Sequence, residues 1–113
     1  MKIEVNKVKI VVMVPQDYLE IVRDTMCNVG AGIIGNYSYC SSYMKSIGTF
    51  MPNEEANPFI GKKATLETVD EYRLEVLCDI NKAKEVLKHM REVHPYEEIG
   101  VDIIPLLDEN YLW

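Results

Sequence analysis

Twice along the chain, apolar positions change from alternating with polar ones to recurring every three or four residues. Val8, Ile10, Val12 and Val14 share one parity, with Lys9, Val11 and Met13 between them, the two-residue period of a strand. The second parity is itself partly apolar, so cover on both sides is expected. Ile3 and Val5 have the opposite parity, so the pattern breaks near Asn6-Lys7 at an N-terminal extension or a bulge. Pro15 stops the strand and suits a first helical turn. Leu19, Val22, Met26 and Val29 then form a helical stripe opposite Glu20, Arg23, Asp24 and Cys27, ending at Gly30, a natural left-handed cap. Tyr37, Tyr39, Ser41 and Tyr43 alternate with Ser38, Cys40 and Ser42, which predicts a second strand with a tyrosine-rich face.

From Met44 to Lys63 no clear period holds, and Gly48, Pro52, Asn57-Pro58 and Gly61 punctuate the stretch. A connection of that length inside a small domain is more often functional or partner-facing than idle. Residues 65–78 alternate again, with Leu66, Tyr72, Leu74, Val76 and Cys78 against Glu67, Glu71, Arg73 and Glu75. Asp79 or Asn81 suits the N-cap of a second helix. Its buried stripe is Ala83, Val86, Leu87, Met90 and Val93, and Lys82, Glu85, His89 and Glu92 form its wet side. His94-Pro95 stops it, because the residue before a proline is pushed out of helical geometry. Ile99, Val101 and Ile103 make a last strand ended by Pro105.

The order strand, helix, strand, strand, helix, strand predicts an α+β fold, the ferredoxin-like βαββαβ sandwich, with both helices on one face of an antiparallel sheet and a long β2–β3 loop. A single domain is expected over residues 1–113, with a core at about 8–106, an extension at 1–6 and a tail at 107–113. Val11, Met13, Val69 and the tyrosine row suggest that the face without helices is not simply solvated, so self-association around it is expected.

Composition narrows the function classes more than it names one. With 48% hydrophobic and 27% charged residues, the chain has ordinary globular usage. A chain of 13.0 kDa is expected to expose roughly 6,300 Å² folded against about 18,900 Å² unfolded, enough burial for a core without metals or disulfides. Eighteen acids against twelve bases give a net charge of −6, which argues against nucleic acid and anionic membranes as partners. Three cysteines, Cys27, Cys40 and Cys78, include no Cys-x-x-Cys pair and read as reduced thiols. The N-terminus lacks signal-peptide character, and the longest apolar run, residues 10–14, falls far short of a membrane span. A cytoplasmic location is the resulting expectation.

The segment Gly30-Ala31-Gly32-Ile33-Ile34-Gly35 has the letters of a dinucleotide-binding loop, but its glycines follow a helix and lead into a strand. A pyrophosphate needs them to open a helix, so backbone punctuation is the better reading. The densest polar clusters at element edges are Tyr39-Cys40-Ser41-Ser42, Glu71-Tyr72-Arg73-Leu74-Glu75 and His94-Pro95-Tyr96-Glu97-Glu98. No nucleophile stands with a base and an orienting partner, and Glu97 and Glu98, adjacent in an extended segment, point to opposite faces. An enzyme is therefore not expected.

Together with Gly30–Tyr37, Gly48-Thr49-Phe50 and Ala56-Asn57-Pro58-Phe59-Ile60-Gly61, these clusters resemble the domain inserted into YqfO-type proteins, the NGG-interacting factor three family, here as a free-standing chain. The resemblance runs from about Val8 to Leu106. It implies a PII-like and CutA-like fold that associates as trimers with sheets facing inward. In full-length members the insert caps a separate dimetal-binding domain. With only His89 and His94, this chain cannot supply that dimetal site. Two departures stand out. Members usually read Gly-Thr-Gly-Thr-Phe where this chain has Ser46-Ile47-Gly48-Thr49-Phe50, and Gly where it has Glu55.

Candidate ligand contacts follow from these clusters: Gly48, Thr49 and Asn57 on the loop, Cys40, Arg73 and Glu75 on strands, and His94 and Tyr96 at the last helix end. His94, Glu97 and Glu98, with Cys40 nearby in one reading, offer nitrogen, oxygen and sulfur donors to a divalent metal. The competing reading has His94 and Tyr96 locking the helix-to-strand turn by hydrogen bonds, and Arg73 in a cross-strand charge ladder with its neighbouring acids. The expected function is a non-enzymatic trimeric module that binds a small ligand or divalent metal in clefts between subunits. The alternative is a trimerising interaction domain that caps a partner, such as a separately encoded dimetal protein. The tail's Tyr111, Leu112 and Trp113 could dock on a neighbour or fray.

Overall fold

Strand β1 (Lys7–Val14) runs through the middle of a four-stranded antiparallel sheet ordered β2-β3-β1-β4 in this computed structural model, which describes residues 2–113. Met1, counted above in the N-terminal extension, lies outside the described residues. The other elements are α1 (Leu19–Asn28), β2 (Ser41–Phe50), β3 (Glu67–Asp79), α2 (Ile80–Val93) and β4 (Val101–Leu106). Short 3₁₀ turns at Gln16–Tyr18 and Glu109–Leu112 complete the chain. The ferredoxin-like α+β order expected from the sequence is the one observed.

The core lies between sheet and helices. Val8, Ile10, Val12 and Val14 of β1, Leu74, Val76 and Cys78 of β3, Val22 and Met26 of α1, and Val86 and Met90 of α2 are all buried there. Each large aliphatic group so buried contributes about 1.5–3 kcal/mol relative to exposure. Cys27, placed by the helical pattern on the wet side of α1, is instead buried at the edge of this layer. A Cβ on Gly32 would crowd its Sγ and the Cys40 main chain, and Gly32 itself has a left-handed φ of 75°.

Three element boundaries differ from the pattern reading. First, β2 begins at Ser41 and runs to Phe50, so Tyr37 and Tyr39 belong to the preceding turn. Tyr39 takes a left-handed φ of 57°, and Tyr37 forms an isolated bridge with Ile34. Tyr43 lies opposite Leu74, on the helix-side parity, with its ring edge-on to Tyr72 at 5.5 Å. No tyrosine row therefore covers the second face. That face is mixed, carrying Val11, Met13, Met44, Leu77 and Ile104 together with Lys9, Arg73, Glu75 and Asp102. Val11, flanked in register by Glu75 and Asp102, is only 1% exposed.

Second, the segment 44–50 is strand rather than loop, because β3 is long enough to give it ladder partners out to Glu67. β1 reaches only Tyr72 on β3, so the β2–β3 hairpin projects beyond the rest of the sheet as an arm. The irregular connection shrinks to residues 51–66. Third, Pro105 sits inside β4 rather than ending it. β4 is an edge strand, where a residue without an N–H leaves no ladder bond unmade.

The molecule measures 51 × 31 × 23 Å and exposes 7796 Å². That exceeds by roughly 1,500 Å² the area expected of a compact monomer of its mass. The extension and the tail meet: the Glu4 N–H donates to the Tyr111 hydroxyl at 3.0 Å. Asp108 caps the tail's turn through the Asn110 N–H, and Trp113 is 94% exposed.

Candidate functional site

The end of α2 is held by a histidine whose two nitrogens both have partners. The Nε2–H of His94 donates to the Met13 carbonyl at 2.8 Å, and its Nδ1 accepts the Tyr96 N–H at 3.2 Å. A carbonyl can only accept and a main-chain N–H can only donate, so the neutral Nε2–H tautomer is the one that satisfies both. Burial, aided by the nearby Arg91 charge, holds the imidazole below its ordinary pKa despite the Met13 bond. His94 thereby ties the helix end to the last turn of β1, where Met13 in turn donates its N–H to the Gly100 carbonyl at 3.0 Å.

Tyr96, stacked edge-on to His94 at 4.8 Å, sends its hydroxyl across to β3, where it donates to Glu71 Oε2 at 3.0 Å. Burial first, then this hydrogen bond and the Glu71 charge, raise the phenol well above its usual range. Glu71 is only 9% exposed, and its other oxygen lies over Gly48, where a Cβ would collide with it. Gly48 is thus required by close approach rather than by backbone angle.

The 51–66 connection folds back over these groups. Phe59 anchors it, packing edge-on to Tyr18 at 6.1 Å and tilted against Tyr96 at 6.4 Å. The Asn57 N–H donates to both oxygens of Glu97, at 2.9 and 3.1 Å. Under the connection lies a cleft of about 680 Å³, the size range of small-ligand sites. Sheet residues Met13, Gly48 and Glu71 line it, with Phe50 and Phe59 from the arm and loop and Tyr96 from the turn. Glu55, Glu97 and Glu98 also border it, and no basic residue among those described does.

Of the residues singled out from the sequence, Gly48, Thr49, Tyr96, Glu97 and Glu98 are gathered at this cleft. Asn57 adjoins it through Glu97, and His94 stands behind it as a brace. Arg73 and Glu75 lie outside the lining on the uncovered sheet face, 3.3 Å apart, and Lys9 approaches Glu75 at 3.6 Å. Cys40 precedes β2 at the far end from Gly48 and Thr49, with its N–H donated to Gly32. His94, Glu97 and Glu98 do not assemble as a metal cage: the imidazole nitrogens and the Glu97 oxygens already have main-chain partners. Among the described residues no group of three or more histidine, cysteine or acidic side chains is placed to hold a metal ion. Glu71, Met13, Glu55 and Phe59 also line the cleft and were not among the sequence candidates. The one sequence signal for Glu71 was its place in the polar cluster Glu71-Tyr72-Arg73-Leu74-Glu75.

Comparison with known proteins places this geometry. No protein-family model matches the chain. A protein of Halalkalibacterium halodurans named GTP cyclohydrolase 1 type 2 homolog is 45% identical over 102 residues, which cover 90% of this chain and 27% of that protein. A solved Bacillus cereus protein described as related to NIF3 is 38% identical, with a TM-score of 0.80 over 90% of this chain and 26% of its own. The chain is similar to one segment of NIF3-related proteins. It spans about a quarter of the length of the curated relatives it matches. The periplasmic divalent cation tolerance protein CutA of Archaeoglobus fulgidus is 16% identical, with a TM-score of 0.67 over 88% of this chain and 83% of its own. At that identity the likeness concerns the fold, which is CutA-like. No helix among the described residues is long and apolar enough to cross a membrane.

Proposed function

We propose that this chain is a non-catalytic, self-associating module that binds a small ligand in the cleft beneath the 51–66 connection and acts in the cytoplasm. The observation that carries the reading is the cleft itself, built where β1 and α2 end and β4 begins, and overhung by a loop anchored at Phe59. Its wall is braced from behind by His94, so the Tyr96–Glu71 contact is held in place before any ligand arrives. No nucleophile with a base stands in it, which favours binding over turnover.

The excess surface of roughly 1,500 Å² favours a closed ring. A standard interface takes about 800 Å² from each partner, and each copy in a trimer contributes two such patches. The projecting arm and the mixed sheet face are the surfaces available to it, and trimers are what the family resemblance implies. Light scattering on the purified chain is expected to give about three times 13.0 kDa. A monomer at micromolar concentration overturns the assembly. A thermal-shift panel of nucleotides, amines, carboxylates and divalent metals tests the cleft, and no response to any class overturns ligand binding.

A second reading is favoured by the length of the relatives, nearly four times the matched stretch. In it the trimer caps a partner, a separately encoded dimetal-binding protein. Co-purification of that partner, with no response to small molecules, is the outcome that would replace the first reading.

A further inference from the structure

From the charge and chemistry of the cleft lining, we infer that its ligand is an organic cation, an ammonium or guanidinium group carried on an apolar body. This rests on the reading of the cleft as a small-ligand site and names the class of ligand. Glu71 is nine-tenths buried and, among the described residues, has a hydrogen bond to one oxygen only and no ion pair. The second oxygen of Glu71 borders the cleft with no protein donor among the described residues, and a cation bound there would pair with it. Glu71 borders a space that also takes Glu55, Glu97 and Glu98 and no described lysine, arginine or histidine. Arg73, on the same face of β3 as Glu71, is turned to Glu75 at 3.3 Å. An anionic ligand, a nucleotide phosphate above all, would enter against four carboxylates with no counter-charge.

Two further features choose an organic cation over a metal ion. The acidic groups do not converge, since no three of them among the described residues are placed around one ion. Apart from Thr49 and Asn53, the rest of the lining is mainly apolar and aromatic, with Phe50, Phe59 and Tyr96 beside Met13 and Met51. Aromatic faces attract ammonium and guanidinium groups, and methionine adapts to the apolar body that carries them. The volume of about 680 Å³ also suits a molecule of many atoms rather than one ion.

The probes are phenethylamine, its neutral analogue phenethyl alcohol, phenylacetate, ATP and Zn²⁺, each titrated calorimetrically into the 113-residue chain. The amine is expected to bind at least tenfold more tightly than the alcohol. Glu71→Gln should weaken the amine by about tenfold and leave the alcohol unchanged. Because Glu71 is buried, Glu97→Gln and Glu98→Gln serve as exposed variants, and together they should weaken the amine and flatten its salt dependence. Equal affinity for amine and alcohol, or a Glu97→Gln/Glu98→Gln double variant that binds the amine like the parent, overturns the inference. Binding of phenylacetate, ATP or Zn²⁺ without the amine overturns the cation assignment but leaves the small-ligand reading standing. Binding of none of the five overturns both.

Discussion

His94 couples the fold to pH. Its folded-state pKa is depressed by burial, while the unfolded chain takes up a proton near the ordinary histidine value of about 6.5. Below that value the unfolded state binds more protons, so stability falls as pH drops toward the depressed folded pKa and is fully present above about 6.5. Protonation would also set an Nδ1–H against the Tyr96 N–H. Urea midpoints measured from pH 5 to 7.5 should therefore decline on the acid side. His94→Gln should remove that part of the slope at a stability cost of about 1–3 kcal/mol. Tyr96→Phe leaves Glu71 without its donor and is expected to cost about 1–3 kcal/mol by the same measurement. Gly48→Ala pushes a methyl group into the Glu71 carboxylate and should cost a similar amount, about 1–3 kcal/mol. Loss of the Gly48→Ala effect when it is measured in a Glu71→Ala background would identify that collision as the cause. The contacts of Glu71 were not legible beforehand. The spacing of Glu71 and Tyr96 in sequence says nothing about a bond made across a turn and a strand, whereas the role of His94 as a turn lock was one of the two readings the His-Pro pair allowed.

At the scale of elements, parity was the reliable signal wherever one face is dry. Val8 to Val14 and Leu74 to Cys78 alternate because helices cover one side and water or charge the other, and both strands fall where the pattern puts them. The pattern failed for β2, because the arm leaves the helix layer and both its faces meet solvent, so nothing enforces alternation. Tyr37 and Tyr39 mimicked a strand through chance spacing around a left-handed turn. On the arm, Ile47 is 73% exposed opposite Asp70. Ile47→Lys is expected to lower the mass seen by light scattering toward that of one copy, with the far-ultraviolet circular dichroism unchanged. A trimer that persists in this variant would remove the arm from the interface. The candidate site was half legible for the same reason. Gly48, Thr49, Tyr96, Glu97 and Glu98 sit at element ends that turn signals mark, while Met13 and Phe59 look like ordinary core and loop positions until the connection folds over them.

For the whole molecule, association concentrates charge. Three copies would carry about −18, three times the −6 of one chain. A cleft with four carboxylates inside such a particle would draw cations from solution and repel anions, and added salt would damp both effects. The association rate of phenethylamine should accordingly fall as ionic strength rises, as stopped-flow measurement at two salt concentrations would reveal.

The bond between the Glu4 main chain and the Tyr111 hydroxyl has a topological consequence. Because β1 and β4 are neighbours running in opposite directions, both chain ends leave the sheet at the same place, with Lys7 beside Leu106. The backbone is therefore nearly a closed circle, and the position of its break is a detail of covalent order rather than of packing. A permuted chain, with its ends joined by a short glycine-serine bridge and reopened between Asn53 and Glu55, should recover the same sheet order.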